Sequence, residues 1–526
     1  MEVGDLAKQK GTKDEDQFSS KVSYNMAINI LRTVVMALFG FLMVPYYIDQ
    51  FGLATYAILP LATSISSYVL AITDPLGDAF ARYTSIAIQK NDMGLANRTY
   101  SSSMFGMMRC MAVLIPLVVL ISLASPYVFN VAGSAALDVQ IMFAMILLSS
   151  LLISFSACLG SVFMAYNKLY IIYASKTVYC VAQVVLVILF FVMRGASLPL
   201  LGASYVIASV LMILIMAVYV KKVCPQIELS RKNYDRSMLK EMSALGMWAT
   251  LSDFGTLMYI EASLIIVNVC LGAAEQASFS IVANMISMIN TATSSLAAVS
   301  VPLAYRYFAN RDRKGLVDTM TFFMKFTGMV MAFPVAFIIL FMPQILELWL
   351  GPGYENLYDM LYIMLPMEIS FCTIRVLLTV PIVYVKMRPV AFATAAFGIL
   401  NVAMCLVVLT FTDLGTLGVC ACWAVSMFLL KVVFYPLYCS KLTNAKKRQY
   451  LTPLLYSHAM FAAVLVIGCL FNSVYTISTR WVSVIFAFVA AFIIYFIIVM
   501  RFLFNKEEKG MILHFLPGFI QRAIER

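Results

Sequence analysis

Six basic residues interrupt runs of apolar sequence long enough to cross a bilayer: Arg32, Arg109, Lys176, Lys325, Arg375 and Lys431. At the centre of a lipid-facing helix each costs about 2.5 to 3.5 kcal/mol on insertion scales, so such residues face protein, water or a polar ligand. Lys176 and Lys431 stand within about two turns of the inner ends of their runs, where a long side chain can snorkel to the interface. Arg32, Arg109 and Arg375 lie about 13 Å deep by helical rise, beyond comfortable snorkelling. Lys325 stands between the two cases. A hydrated cavity of guanidinium groups suits a phosphate, because arginine's planar fork binds two oxygens at once and stays charged at every physiological pH. The expected anion-binding set is therefore Arg32, Arg109, Arg375 and Lys325.

Acids in the same runs are fewer: Asp74 and Asp78, Asp253 and Glu261, and Glu368. Glu368 and Arg375 share a helix face at a spacing of seven, as Asp253 and Glu261 nearly do at eight. One reading has them neutralise the cavity arginines. The other makes Glu261, Glu368, Asp253 and Asp74 ion-coupling candidates that bind H⁺ or Na⁺. Pro366, two residues before Glu368, permits a bend beside these charges. No metal site is expected from 2 histidines and 11 cysteines that fall almost entirely in apolar runs. Cys420 and Cys422 point to different helix faces. No cofactor is expected, and no GxxxxGK[ST] phosphate loop occurs that would let the chain hydrolyse ATP in that way.

The elements carrying these residues are set by composition. The 526 residues are 62% hydrophobic and 12% charged, with a mean hydropathy of +0.91, so water is not the main solvent. A spanning helix needs about 20 apolar residues. Such runs fall at 23–46, 53–75, 100–122, 139–163, 170–192, 199–219, 243–269, 277–300, 318–342, 358–384, 390–411, 415–437, 455–474 and 481–503. With the N-terminus inside, nearly every loop Lys and Arg is cytoplasmic, and the opposite loops hold only Arg194 and Arg480. Both termini are expected in the cytoplasm, and the net charge of +11 follows from this bias rather than from nucleic-acid binding. The polar start of the chain has no signal-peptide pattern, so the first span is expected to serve as its own signal.

Two stretches share a layout. A span ends near Phe51-Gly52, and the next runs into Ala81-Arg82-Tyr83 and Asp92-Met93-Gly94-Leu95. Six spans later one ends near Leu271-Gly272, and the next runs into Tyr305-Arg306-Tyr307 and Asp312 to Leu316. An even offset gives both copies one orientation and predicts a pseudo-two-fold axis along the membrane normal. The expected fold is all-α and polytopic, with about fourteen transmembrane helices in two six-helix lobes around a central cavity, plus two C-terminal helices. The segments are a cytoplasmic tail 1–22, an N-terminal lobe 23–220, a basic cytoplasmic linker 221–242, a C-terminal lobe 243–440, spans 13 and 14 at 441–503, and a cytoplasmic tail 504–526. The Phe- and Ile-rich spans 13 and 14 suit a lipid-facing surface or a groove for a polyprenyl tail.

The stretches Asn29 to Ile58, Asp74 to Ser85 and Glu347 to Tyr358 (ELWLGPGYENLY) resemble the polysaccharide-transporter branch of the multidrug/oligosaccharidyl-lipid/polysaccharide exporter superfamily, the O-antigen and teichoic-acid flippases. The resemblance implies movement of a polyprenyl-diphosphate-linked sugar from the cytoplasmic to the outer leaflet by alternating access. It implies a cell inner (plasma) membrane location, a lipid-linked oligosaccharide and membrane lipids as partners, polysaccharide polymerase machinery as a further one, no nucleic acid, and function as a monomer. Its lipid II relatives carry an arginine-rich first span, whereas here Arg32 stands alone in that region. The rival readings are an ion-coupled multidrug antiporter of the same superfamily and a membrane-embedded sugar polymerase or glycosyltransferase. The last needs acids or bases on a substantial outer loop, and the outer loops here are short, so the chain is expected not to be an enzyme.

Overall fold

The computed structural model describes residues 25, 28, 29, 31–131, 133–474, 478–504, 508 and 509, the side chains of 244–249 excepted; the tail 1–22 and most of 504–526 lie outside them. Among the described residues 14 helices are long and apolar enough to cross a membrane. They are α1 Leu31–Phe51, α2 Leu53–Gln89, α3 Met93–Val128, α4 Ala136–Ala165, α5 Leu169–Arg194, α6 Leu198–Val223, α7 Thr250–Leu271, α8 Ala273–Ala309, α9 Arg313–Leu340, α10 Leu357–Val383, α11 Arg388–Phe411, α12 Gly415–Thr443, α13 Lys447–Val474 and α14 Trp481–Phe502. Each matches one expected span. Several run past it at one or both ends, because the polar flanks of an apolar run continue the helix beyond the hydrocarbon core.

The internal repeat reappears as backbone conformation. Asn91 after α2 and Arg311 after α8 both take a left-handed φ, as do Asn167 after α4 and Val385 after α10. Each is the C′ residue of a Schellman cap. Its own N–H reaches back three residues and the next N–H reaches back five, as in Asp92 to Ala87 (3.3 Å) and Asp312 to Tyr307 (3.0 Å). Asp92 and Asp312 then cap the next helix, accepting at 2.8 Å from Leu95 N and Gly315 N. Gly52 and Gly272 end α1 and α7 at φ 77 and 98. These paired positions carry the repeat at the local level. α12 ends the same way at Asn444, whereas α6 runs through Cys224 into the linker with φ −138.

The chain forms two compact units, Met1–Ile281 and Val282–Arg526. The division falls within α8, because the helix Arg236–Leu257 that leads into α7 lies against α2. In the first unit α4 packs on α2 and α6 through small and hydroxylated residues. Lipid gives helices no hydrophobic drive to associate, so close backbone approach and hydroxyl hydrogen bonds hold them together. Thr73 and Ser154 hydroxyls lie 2.6 Å apart. A Cβ on Gly77 would come within 2.9 Å of the Ala157 Cβ.

In the second unit α13 lies along α9. A side chain at Gly328 would collide with Ser457 and Thr373, and one at Gly468 with Leu340. α14 places Phe488 at 5.6 Å and 5.2 Å from Phe333 and Phe337 of α9. Phe486, Ile493 and Ile494 on its other faces are exposed. Part of the aromatic surface expected to serve a polyprenyl tail is thus filled by α9.

Candidate functional site

In the first unit, Asn25 sets the height of one charged group. Its amide donates to Asn167 Oδ1 at 3.2 Å, and its carbonyl oxygen accepts from Tyr170 N at 2.9 Å. Beyond that junction Arg32 stands at the start of α1 and Lys176 lies on α5. The Arg32 guanidinium lies 5.5 Å from the Tyr173 ring centroid, and its Nε is buried without a hydrogen-bond partner. Lys176 stands in the field of Arg32, Asp74 and Asp78. Asp74 is in turn within the influence of Asp78 and of Asp253 on α7. Lys176, expected to snorkel, instead joins this cluster. Asp74, Asp78 and Asp253 are all exposed, and exposed carboxylates on apolar spans mark a surface in contact with water rather than lipid.

The expected face shared by Asp253 and Glu261 does not form. The helix Arg236–Leu257 ends before a new one starts at Glu261, so their spacing no longer counts along one helix. Glu261, in the first turn of Glu261–Leu271, comes near the Ser64 hydroxyl and Tyr68 on α2. A carboxylate there complements the partial positive charge of a helix N-terminus.

In the second unit α10 and α12 lose regular geometry where they carry charge. Arg375 opens a 3₁₀ turn, Arg375–Leu378, and Lys431 sits in a π turn, Phe428–Phe434. Insertions of this kind recur at functional sites because they aim side chains that a regular helix would not. Arg375 Nε donates to Ser294 Oγ at 3.0 Å, and its guanidinium is 5.7 Å from the Phe371 centroid. The Lys431 ammonium is 5.0 Å from the centroids of Phe371 and of Tyr435. Glu368 is 1% exposed. Its electrostatic neighbour is Lys431 rather than Arg375, and Asn290 of α8 reaches it. Glu368 Oε2 and Asn290 Oδ1 are both buried without a partner.

The remaining expected cations hold chain segments. Arg109 hydrogen-bonds the Tyr234 hydroxyl and stacks 4.5 Å from that ring. It ends a ladder on α3 at spacing four. Asn97 accepts from Glu228 N at 2.9 Å, Ser101 accepts from Ser230 N at 3.2 Å, and Phe105 meets Tyr234 edge to face. Segment 226–235 is strapped along α3 by this stripe, with Arg98 to Asp235 at 2.6 Å beside it. Lys325 donates to the Leu503 carbonyl at 2.7 Å and pairs with Glu508 at 3.1 Å. That is the position where a cation suits the end of a helix.

Of the anion-binding set, then, Arg32 and Arg375 sit in charged clusters, one in each unit, and Arg109 and Lys325 do not. Lys176, Lys431, Asn290 and Ser294 join those clusters unforeseen. Among the described residues no three His, Cys, Asp or Glu side chains converge as metal ligands would.

Fourteen helices long and apolar enough to cross a membrane, among the described residues, make this a multi-pass membrane protein, and solved structures share its fold. A multidrug resistance MATE family transporter of the MOP superfamily, solved facing inward, superposes with a TM-score of 0.66 at 14% identity over 79% of this chain and 99% of that one. A MOP superfamily transporter from Pyrococcus furiosus, described as having a binding pocket of reverse polarity, gives 0.55 at 15% identity over 85% and 95%. The uncharacterized membrane protein EpsK of Bacillus subtilis (strain 168) is 22% identical over 503 residues, 94% of this chain and 97% of EpsK. The family described as polysaccharide biosynthesis protein matches residues 22–308, and the chain belongs to it.

Proposed function

We propose that this protein is a flippase that carries a polyprenyl-diphosphate-linked saccharide from the cytoplasmic to the outer leaflet of the inner membrane by alternating access, with both termini in the cytoplasm. The observation that carries the reading is the cluster of Arg32, Lys176, Asp74, Asp78 and Asp253 on apolar spans, in a chain of the polysaccharide-biosynthesis family. Guanidinium and ammonium groups suit a diphosphate. Carboxylates accept hydrogen bonds from sugar hydroxyls. Arg375 supplies the second unit's cation, and Arg109 and Lys325 act instead on the linker and the C-terminal segment.

One observation favours multidrug antiport: the three exposed acids of the first unit's cluster, Asp74, Asp78 and Asp253, outnumber its two cations, Arg32 and Lys176, and suit a lipophilic cation. Proteoliposomes separate the readings. Inward-added fluorescent polyprenyl-diphosphate oligosaccharide becoming accessible at the outer face supports the flippase. Accumulation of a lipophilic cation with no movement of the lipid-linked sugar would replace it with the antiporter.

A further inference from the structure

Glu368, Lys431 and Arg375 place three charged groups in unit 2, and neither ion pair formed among the described residues includes them. Glu368 and Lys431 are 1% and 7% exposed. A buried carboxylate with an oxygen facing no donor is costly, and a second open acceptor, Asn290 Oδ1, belongs to the side chain that reaches it. A proton on Glu368 supplies the absent donor. It also leaves Lys431, which stands in the field of Arg375, without a counter-charge, which an arriving anion would provide. Carboxylate and anion are therefore alternatives for Lys431.

We propose that Glu368 is a built-in stand-in for the cargo's anion, serving as the counter-charge of Lys431 when the site is empty and taking up one proton when a diphosphate diester replaces it, with Arg375 beside Lys431 as a second cation for that anion. The step balances: one H⁺ from water converts the Glu368 carboxylate to the neutral acid, and the Lys431 ammonium passes to the diphosphate. The proposal rests on the flippase reading and assigns its coupling to H⁺. A metal cation such as Na⁺ is disfavoured at a carboxylate in the field of an ammonium. The other groups around Glu368 are Cys372 on α10, Tyr435 on α12, Thr327 of α9 whose hydroxyl bonds the Cys372 carbonyl, Ser294 of α8, and His458 of α13 through Ser370.

Linkage is reciprocal, so anion affinity must rise as pH falls, by at most tenfold per pH unit for one proton. The experiment uses the full chain in nanodiscs and a short prenyl diphosphate esterified to one sugar, a probe that does not titrate near neutral pH. Binding is measured across pH with proton uptake followed by a soluble dye. Wild type is expected to absorb close to one proton per probe bound and to be indifferent to Na⁺. Glu368→Gln is expected to bind the probe more tightly than wild type at alkaline pH, with a weaker pH dependence, a gain that misfolding cannot produce. Lys431→Met should weaken binding at least tenfold, and His458→Gln should keep the wild-type pH dependence. Wild-type pH dependence in Glu368→Gln, loss of the dependence in His458→Gln, or Na⁺ competition in wild type would overturn the proposal. If the short probe shows the linked uptake but a long-chain lipid-linked oligosaccharide neither binds nor moves, the proton site stands and the flippase reading falls; if neither probe binds, both fall.

Discussion

Arg32 shows what one residue can be asked to do. Its Nε is buried without a partner beside Tyr173, and a charge-assisted hydrogen bond to such a group is worth about 1.5 to 3 kcal/mol, or roughly ten- to 150-fold. Arg32→Ala should therefore lower transport per folded molecule by at least tenfold. Arg32→Lys, which keeps the charge and loses the fork, should lower it less. Equal activity of the alanine variant and wild type in the proteoliposome assay would remove Arg32 from the site. A second residue tests backbone strain: Val385 holds a left-handed φ of 54 and is 84% exposed, so its side chain has little packing to lose. Asn tolerates that conformation and a β-branched residue resists it. Val385→Asn should raise stability by about 1 kcal/mol, seen as a higher unfolding temperature of the purified protein. That Arg32 belongs to a helix long enough to span a membrane was legible from its place in an apolar run. The place of Lys176 in the field of Arg32 and Asp74 was not, because it depends on tertiary packing.

Elements explain why the expected pairs dissolved. Counting seven or eight along a helix assumes one continuous helix. The break before Glu261 and the non-α turns at Arg375 and Lys431 change the register just where charge sits. The strap had a visible signal in Asn97, Ser101, Phe105 and Arg109 at spacing four, a face too polar for lipid. Reading Arg109 by depth alone missed it. Asp235 caps the helix Arg236–Leu257, and its carboxyl is held below the usual range first by Met238 N–H and then by Arg98. A depressed folded value means the contribution is present above the ordinary carboxylate value near pH 4 and lost as pH falls through the depressed one. Amide exchange at Glu228, Ser230 and Asp235 should thus be steady from pH 8 to 5 after correction for intrinsic rates and faster in Asp235→Ala. An unchanged pattern in that variant would mean the strap is held without it.

At the scale of the whole chain, the fourteen helices long and apolar enough to cross a membrane among the described residues, and their order, were legible because hydrocarbon imposes the same length on every span. How α13 and α14 are used was not, since a lipid-facing phenylalanine and one packed on α9 read alike in sequence. With both ends inside, reporters fused after Lys447 and after Arg526 should both report a cytoplasmic location, and an outward signal at either would break the topology. Removing 455–526 would strip α9 of Ser457, Phe488 and Phe492. The expected result is loss of folded protein measured by size-exclusion fluorescence, with no selective penalty for long-chain cargo.

The Schellman turns also speak to descent. Asn91 answers Arg311 and Asn167 answers Val385, so a turn that prefers glycine recurs in both halves on amide, cationic and branched hydrocarbon side chains. An ancestor of six crossings has both ends on one side of the membrane. Two copies of its gene can be joined head to tail by a short hydrophilic bridge, with no extra crossing to restore orientation. The one even-numbered helix within the two repeats that lacks the turn is α6, where such a fusion would fall. There the chain instead continues along α3 as the strap of 226–235, the place where the bridge of such a fusion would lie.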